Sequence, residues 1–188
     1  MRSIQLRDIP NLICVARIIL VLPIVMLLVA ENYLMAVVLF AVAGISDGID
    51  GYLARRYSWQ SWWGSVLDPL ADKILLVACC VTLGFMSLLP LWLVLIIVLR
   101  DVVIITGAYV YHLRISGYVA EPSMLSKANT FVQIVLVLAV IANAGFWSIP
   151  SLLISILIGL VLLTTVLSGI DYVWRWSHRA INDDTTKK

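Results

Sequence analysis

Six stretches of this chain are apolar over about the 20 residues that a helix needs to cross a bilayer. They run over 11–30, 33–54, 62–86, 89–111, 125–145 and 149–174, joined by short connections. Of the 188 residues, 62% are hydrophobic and 13% charged, with a mean hydropathy of +1.03. A soluble domain of this size is about half apolar and about a quarter charged. One small globule cannot bury that surplus, so the fitting solvent is a lipid bilayer. The expectation is an all-α integral membrane fold of six transmembrane helices, forming a single domain over 1–188. No linker, low-complexity tract or internal repeat interrupts it.

The ends of the chain differ from the spans. Residues 1–10 alternate Ile4, Leu6 and Ile9 with Arg2, Gln5, Arg7 and Asp8, which predicts a short interfacial helix ending at Pro10. Residues 180–188 read as a polar tail, disordered from Asn182. Lys and Arg alternate cleanly between the two membrane sides. Arg2 and Arg7, then Arg55 and Arg56, then Arg114 and Lys127, and last Arg175, Arg179, Lys187 and Lys188 fall on one side. The connections near 31–33, 87–90 and 143–150 carry none. The positive-inside rule puts both termini in the cytoplasm, or in the matrix of an organelle. Trp59, Trp62, Trp63, Trp174 and Trp176 near that side read as interface anchors. The short tails and the lack of a transit or cleavable signal segment favour a bacterial plasma membrane. Cys14, Cys79 and Cys80 sit in apolar stretches without ligand spacing and read as small buried hydrophobes.

Four carboxylates break the apolar pattern. A charge inside a membrane helix costs about 2.5–3.5 kcal/mol on insertion scales. Asp47 and Asp50 stand late in the second span, and Asp68 and Asp72 early in the third. Residues three or four apart share one helix face, so each pair lines one face of its helix. Antiparallel neighbours with a short loop would gather all four. Left alone, such carboxylates would repel and some would protonate. Divalent cations would let them stay ionised, and all-oxygen ligation suits Mg²⁺, Mn²⁺ or Ca²⁺ rather than zinc. A pair of such ions can clamp a phosphoryl group. The bland alternatives are helix packing at Gly44 and Gly48 and ion pairing of a lone Asp with Lys73 or Arg100. Snorkelling is the bland reading of Arg17, Lys73, Arg100 and Lys127. Four aspartates at this spacing weigh against a purely structural role.

The order Asp47-x-x-Asp50-Gly51-x-x-Ala54-Arg55, eight residues, Gly64, three residues, Asp68, three residues, Asp72 resembles the complete signature of the CDP-alcohol phosphatidyltransferase family. The six-span layout is similar too, so the likeness covers nearly the whole chain. The resemblance implies two bound ions, Mg²⁺ or Mn²⁺, held by Asp47, Asp50, Asp68 and Asp72. It implies that Asp72 is also the general base. Asp50, Gly51, Ala54, Arg55, Gly64 and Asp68 resemble the positions that hold the CDP moiety, with Arg55 facing the pyrophosphate. The implied reaction is direct attack of an alcohol on the phosphate next to diacylglycerol in CDP-diacylglycerol, releasing CMP.

The acceptor is read from later residues. Arg100-Asp101-Val102-Val103-Ile104 and the stretch from Pro122 to Gln133 are similar to the eukaryotic-type cardiolipin synthases of that family, whose acceptor is phosphatidylglycerol. The comparable stretch in phosphatidylglycerophosphate synthases tends to read Arg-Glu, with a further Arg about two turns on. Here Asp101 and Ala108 stand instead. Phosphatidylglycerol therefore ranks first and glycerol 3-phosphate a close second, with Arg100, Arg114 and Lys127 as candidate acceptor-binding residues. A homodimer is a further expectation, and no nucleic-acid partner is expected. A cation-coupled transporter is the alternative from another class. Against it stand the absence of an inverted repeat and the gathering of carboxylates at one membrane face.

Overall fold

In the computed structural model the backbone is described over 9–56, 62–114 and 123–186, and side chains over 16–46, 71, 73–107, 123–172 and 174. Six α-helices follow one another: α1 (Ile9–Val29), α2 (Tyr33–Arg56), α3 (Trp62–Phe85), α4 (Leu91–Arg114), α5 (Met124–Gly145) and α6 (Ser151–Thr186). No strand occurs among the described residues. Met124–Gly145 and Ser151–Tyr172 are long and apolar enough to cross a membrane. The apolar described stretches Ala16–Val29, Tyr33–Ser46 and Lys73–Phe85 are shorter than that.

The helix ends are set by local chemistry. After α1, Glu31 adopts a left-handed φ of 57°, and the Asn32 amide donates to the Leu27 carbonyl at 2.9 Å. This satisfies a carbonyl of the last turn, as a C-terminal cap does. The Asn32 side chain then accepts from the Met35 amide and opens α2. Ser87, with φ 59°, turns the chain after α3, and the Leu88 amide returns to the Leu83 carbonyl. Ser123 caps α5 by accepting from the Ser126 amide at 3.2 Å. Asn143 accepts from the Ile149 amide across the last turn, and Pro150 precedes α6.

Two sequence expectations differ from the structure. Pro10 lies in the first turn of α1 instead of ending an earlier helix. A proline fits there because its missing N–H has no helical partner at that position. Residues 1–8, the rest of the expected interfacial helix, lie outside the described residues. At the other end α6 continues past Asn182 to Thr186 as a 36-residue helix. Adding residues to a formed helix costs far less than nucleating one, so a polar sequence can continue it.

The chain packs as two compact units. The first holds Met1–Leu89 and Val137–Ile149, and the second Pro90–Leu136 and Pro150–Lys188. In the first, α1 packs on both α2 and α3. Its core includes Ile24, Leu28, Phe40, Leu75, Leu76, Cys79 and Leu83. Gly145 approaches Tyr33 so closely that an added Cβ would lie 2.4 Å from the Tyr33 Cβ. In the second unit α4 packs on α6, around Leu93, Ile97, Ile104 and Val161. Large apolar side chains such as Ile19, Leu95, Phe131 and Leu163 are exposed, which suits lipid contact.

Candidate functional site

Asp47 and Asp50 lie on α2, and Asp68 and Asp72 on α3, with both helices packed on α1 in the first unit. Gly51, Ala54 and Arg55 continue α2, and Gly64 stands in the first turn of α3. Helical spacing puts Asp47, Asp50, Gly51 and Ala54 on one face, and Asp68 and Asp72 one turn apart. The side chains of all these residues lie outside the described ones. The donor set is purely carboxylate, which fits hard divalent cations.

The other candidates occupy the second unit. Lys127 is exposed near the start of α5, and Arg114 ends α4 with its side chain outside the described ones. Arg100 is 6% exposed and Arg17 only 2%, so snorkelling accounts for neither. The Arg100 guanidinium donates to the Asp101 carboxylate at 2.6 Å, to the Ser126 hydroxyl at 2.8 Å and to the Ser168 hydroxyl. Arg100 thus ties α4 to both α5 and α6.

That clamp is one of three polar levels. One turn along α5, the Asn129 side-chain oxygen accepts from Thr164 and from Thr165, each at 2.9 Å. A further turn along, Gln133 is 2% exposed. Ser126, Asn129 and Gln133 are spaced by three and four, and Thr165 and Ser168 by three, so each set shares a helix face. Three buried donors along these levels have no partner among the described residues: Arg100 Nε, Asn129 Nδ2 and Gln133 Nε2. Such groups call for a bound oxygen or water. Thr164, Thr165 and Ser168 were not foreseen from the sequence. The visible signal was polar residues at helical spacing inside apolar spans.

Residues 7–170 match the family model described as CDP-alcohol phosphatidyltransferase. The chain belongs to that family, and with its apolar helices it is a membrane protein. It is 34% identical over 180 residues to the cardiolipin synthase (CMP-forming) of Homo sapiens, across 87% of this chain and 60% of that protein. To the CDP-diacylglycerol--glycerol-3-phosphate 3-phosphatidyltransferase of Bacillus subtilis (strain 168) it is 31% identical over 182 residues. That match covers 88% of this chain and 93% of the relative. A probable phosphatidylglycerophosphate synthase of Mycobacterium tuberculosis is 34% identical over 139 residues, across 73% of this chain and 63% of that protein. The chain thus spans 60% of the length of the human and rat cardiolipin synthases.

Proposed function

We propose that this chain transfers a phosphatidyl group from CDP-diacylglycerol to a glycerol-type alcohol and releases CMP. The observation that carries the reading is the family match over residues 7–170 together with the aspartates on α2 and α3. Asp47, Asp50, Asp68 and Asp72 would hold two divalent cations, Mg²⁺ or Mn²⁺, in a family that generally depends on such metals. Bound there, the cations supply charge neutralisation for the pyrophosphate. Asp50, Gly51, Ala54, Arg55, Gly64 and Asp68 hold the CDP moiety, and the Arg55 guanidinium pairs with its phosphates. Asp72 takes the proton from the acceptor hydroxyl. That oxygen forms a bond to the phosphorus next to diacylglycerol as the bond to CMP breaks. Positioning and charge stabilisation account for the rate.

Phosphatidylglycerol is the first choice of acceptor and glycerol 3-phosphate the second. The identities of 34% and 31% to a relative of each kind lie too close to rank them. The preference rests on the likeness of the stretches 100–104 and 122–133 to cardiolipin synthases, with Asp101 and Ala108 as the contrast to the other class. Because Arg100 is committed to Asp101, Ser126 and Ser168, the acceptor phosphate falls to Lys127 and Arg114. We read residues 1–188 as one six-span membrane domain with both termini and the aspartates on the Lys/Arg-rich face. The human and rat relatives weigh against singling out a bacterial plasma membrane. A homodimer is read from the family resemblance, with Gly44 and Gly48 as a small-residue face that could help helices pack, and Gly44 has open space around it.

The test is CMP release from CDP-diacylglycerol by detergent-purified protein with Mg²⁺ or Mn²⁺. Phosphatidylglycerol and glycerol 3-phosphate are offered separately. Cardiolipin formation supports the first acceptor, and phosphatidylglycerophosphate formation the second. Metal-dependent CMP binding also separates either enzyme from a cation-coupled transporter, because bound nucleotide protects against unfolding.

A further inference from the structure

Arg17 carries a full charge and is only 2% exposed, and the reaction proposed above does not use it. It stands on α1, the helix on which α2 and α3 both pack within the first unit. Arg17, Ile24 and Leu28 are buried at steps of seven and four, so they share the core-facing stripe of α1. The core-facing stripe of α2 holds Ala36, Phe40 and Ala43, and the positions of Asp47 and Asp50 follow at steps of four and three. On α3 the stripe holds Leu76, Cys79 and Leu83, preceded at steps of four by the positions of Asp72 and Asp68.

Height along the bundle narrows the choice of partner. A short connection joins α1 to α2, while α2 and α3 have 24 residues each and are joined at the opposite end. Val29, Tyr33 and Phe85 therefore mark one level. At about 1.5 Å per residue, Arg17 lies about 18 Å below that level, Asp72 about 20 Å and Asp47 about 21 Å. Asp50 and Asp68 lie about 26 Å below it, more than a turn past Arg17. The other acidic residues of this unit stand elsewhere. Glu31 lies beyond the far end of α1, and Asp8 precedes the helix, in which Arg17 sits about 12 Å from the start. A buried guanidinium is tolerated when an anion offsets it, and Asp47 and Asp72 are the acids at its height. Clustered carboxylates in turn repel one another until a cation offsets them. Lys73, next to Asp72, is half-buried, so solvent screens it more than Arg17.

We propose that Arg17 is a positioning residue of the aspartate site, the fixed counter-charge of Asp47 and Asp72 that holds α2 and α3 to α1 before metal binds. Divalent cations take over that neutralisation when they enter. The part that concerns metal rests on the proposed function above, and the pairing does not.

The test is thermal unfolding of the full chain in one detergent, without metal and with saturating Mn²⁺. Arg17→Met is expected to lower the midpoint by about 10 °C without metal, the loss of one partner of a buried ion pair, and by about half as much or less with Mn²⁺. By linkage the variant then binds Mn²⁺ more tightly than the wild type does. An arginine that only packs would cost the same in both conditions, and that result would overturn the counter-charge role. Without metal, Arg17→Met combined with Asp72→Asn or with Asp47→Asn is expected to lower the midpoint by less than the two single changes together. Additivity with both aspartates would overturn the pairing. Where Arg17→Met alone gives no folded protein, the double variants decide: folded protein from either supports the pairing, and none from either overturns it. A wild-type midpoint that ignores Mn²⁺ would remove the metal from the aspartates, while the metal-free combinations still decide the pairing.

Discussion

Asn129 offers a measurable interhelical bond. It is fully buried, and its side-chain oxygen holds the Thr165 hydroxyl of α6, itself 1% exposed, at 2.9 Å. Thr164 shares that oxygen but also reaches the Leu160 carbonyl at 2.8 Å and the Val161 carbonyl at 3.2 Å. Losing Asn129 therefore costs Thr164 little, and the coupling falls on Thr165. Asn129→Leu leaves the Thr165 hydroxyl without this acceptor and also removes the unpartnered Asn129 amide. Thr165→Val is the matching change on α6. Polar contacts between membrane helices measure about 0.6 kcal/mol on average and about 1.7 at most. The low exposure of both partners puts this pair in the upper half of that range, near 1 kcal/mol. The assay is reversible unfolding of the wild type, both single variants and the double variant in one detergent or bicelle condition. The double variant is expected to be more stable than the sum of the singles predicts, by about 1 kcal/mol. A coupling below about 0.3 kcal/mol, within the usual additivity error, would show that the bond between α5 and α6 carries no stability.

Gly145→Ala is expected to destabilise by about 1–3 kcal/mol, because Tyr33 Cβ is fixed to its backbone and must give by about 1 Å. Gly44→Ala, with nothing within 4 Å of the added carbon, is expected to be neutral or to stabilise by up to about 1 kcal/mol. Paired unfolding midpoints check both. Arg100→Met removes the guanidinium beside Asp101 and is expected to cost about 3–5 kcal/mol, read as loss of folded protein on gel filtration or a large fall in midpoint. Asp72→Asn is expected to lower turnover by about 10²–10⁴-fold while the protein still folds. Normal CMP release with unchanged metal dependence would remove Asp72 from the base role.

The helices were legible because apolar runs of bilayer length leave few alternatives. The connections at 31–33, 87–90 and 143–150 were marked by polar and turn-forming residues, and all three separate helices in the structure. Pro10 misled because proline both ends helices and opens them, and nothing local distinguished the two uses. The end of α6 misled because polarity was read as disorder, although a growing helix needs no apolar face of its own. The aspartate positions were plain from the cost of charge in lipid. Arg100 was visible as a charge, but its commitment to Ser168 was not. That bond joins residues 68 apart, and no local pattern reports such a pairing.

α6 has one mechanical consequence. Its apolar part ends at Tyr172, and residues 173–186 continue the same helix. At about 1.5 Å per residue these fourteen residues project about 21 Å further. They form a boom rooted in the bilayer. Transmembrane helices tilt by about 20° on average, and a change of about 10° would sweep the free end by about 4 Å. Bilayer thickness would thereby be converted into lateral displacement at Thr186, well outside the apolar layer that sets the tilt.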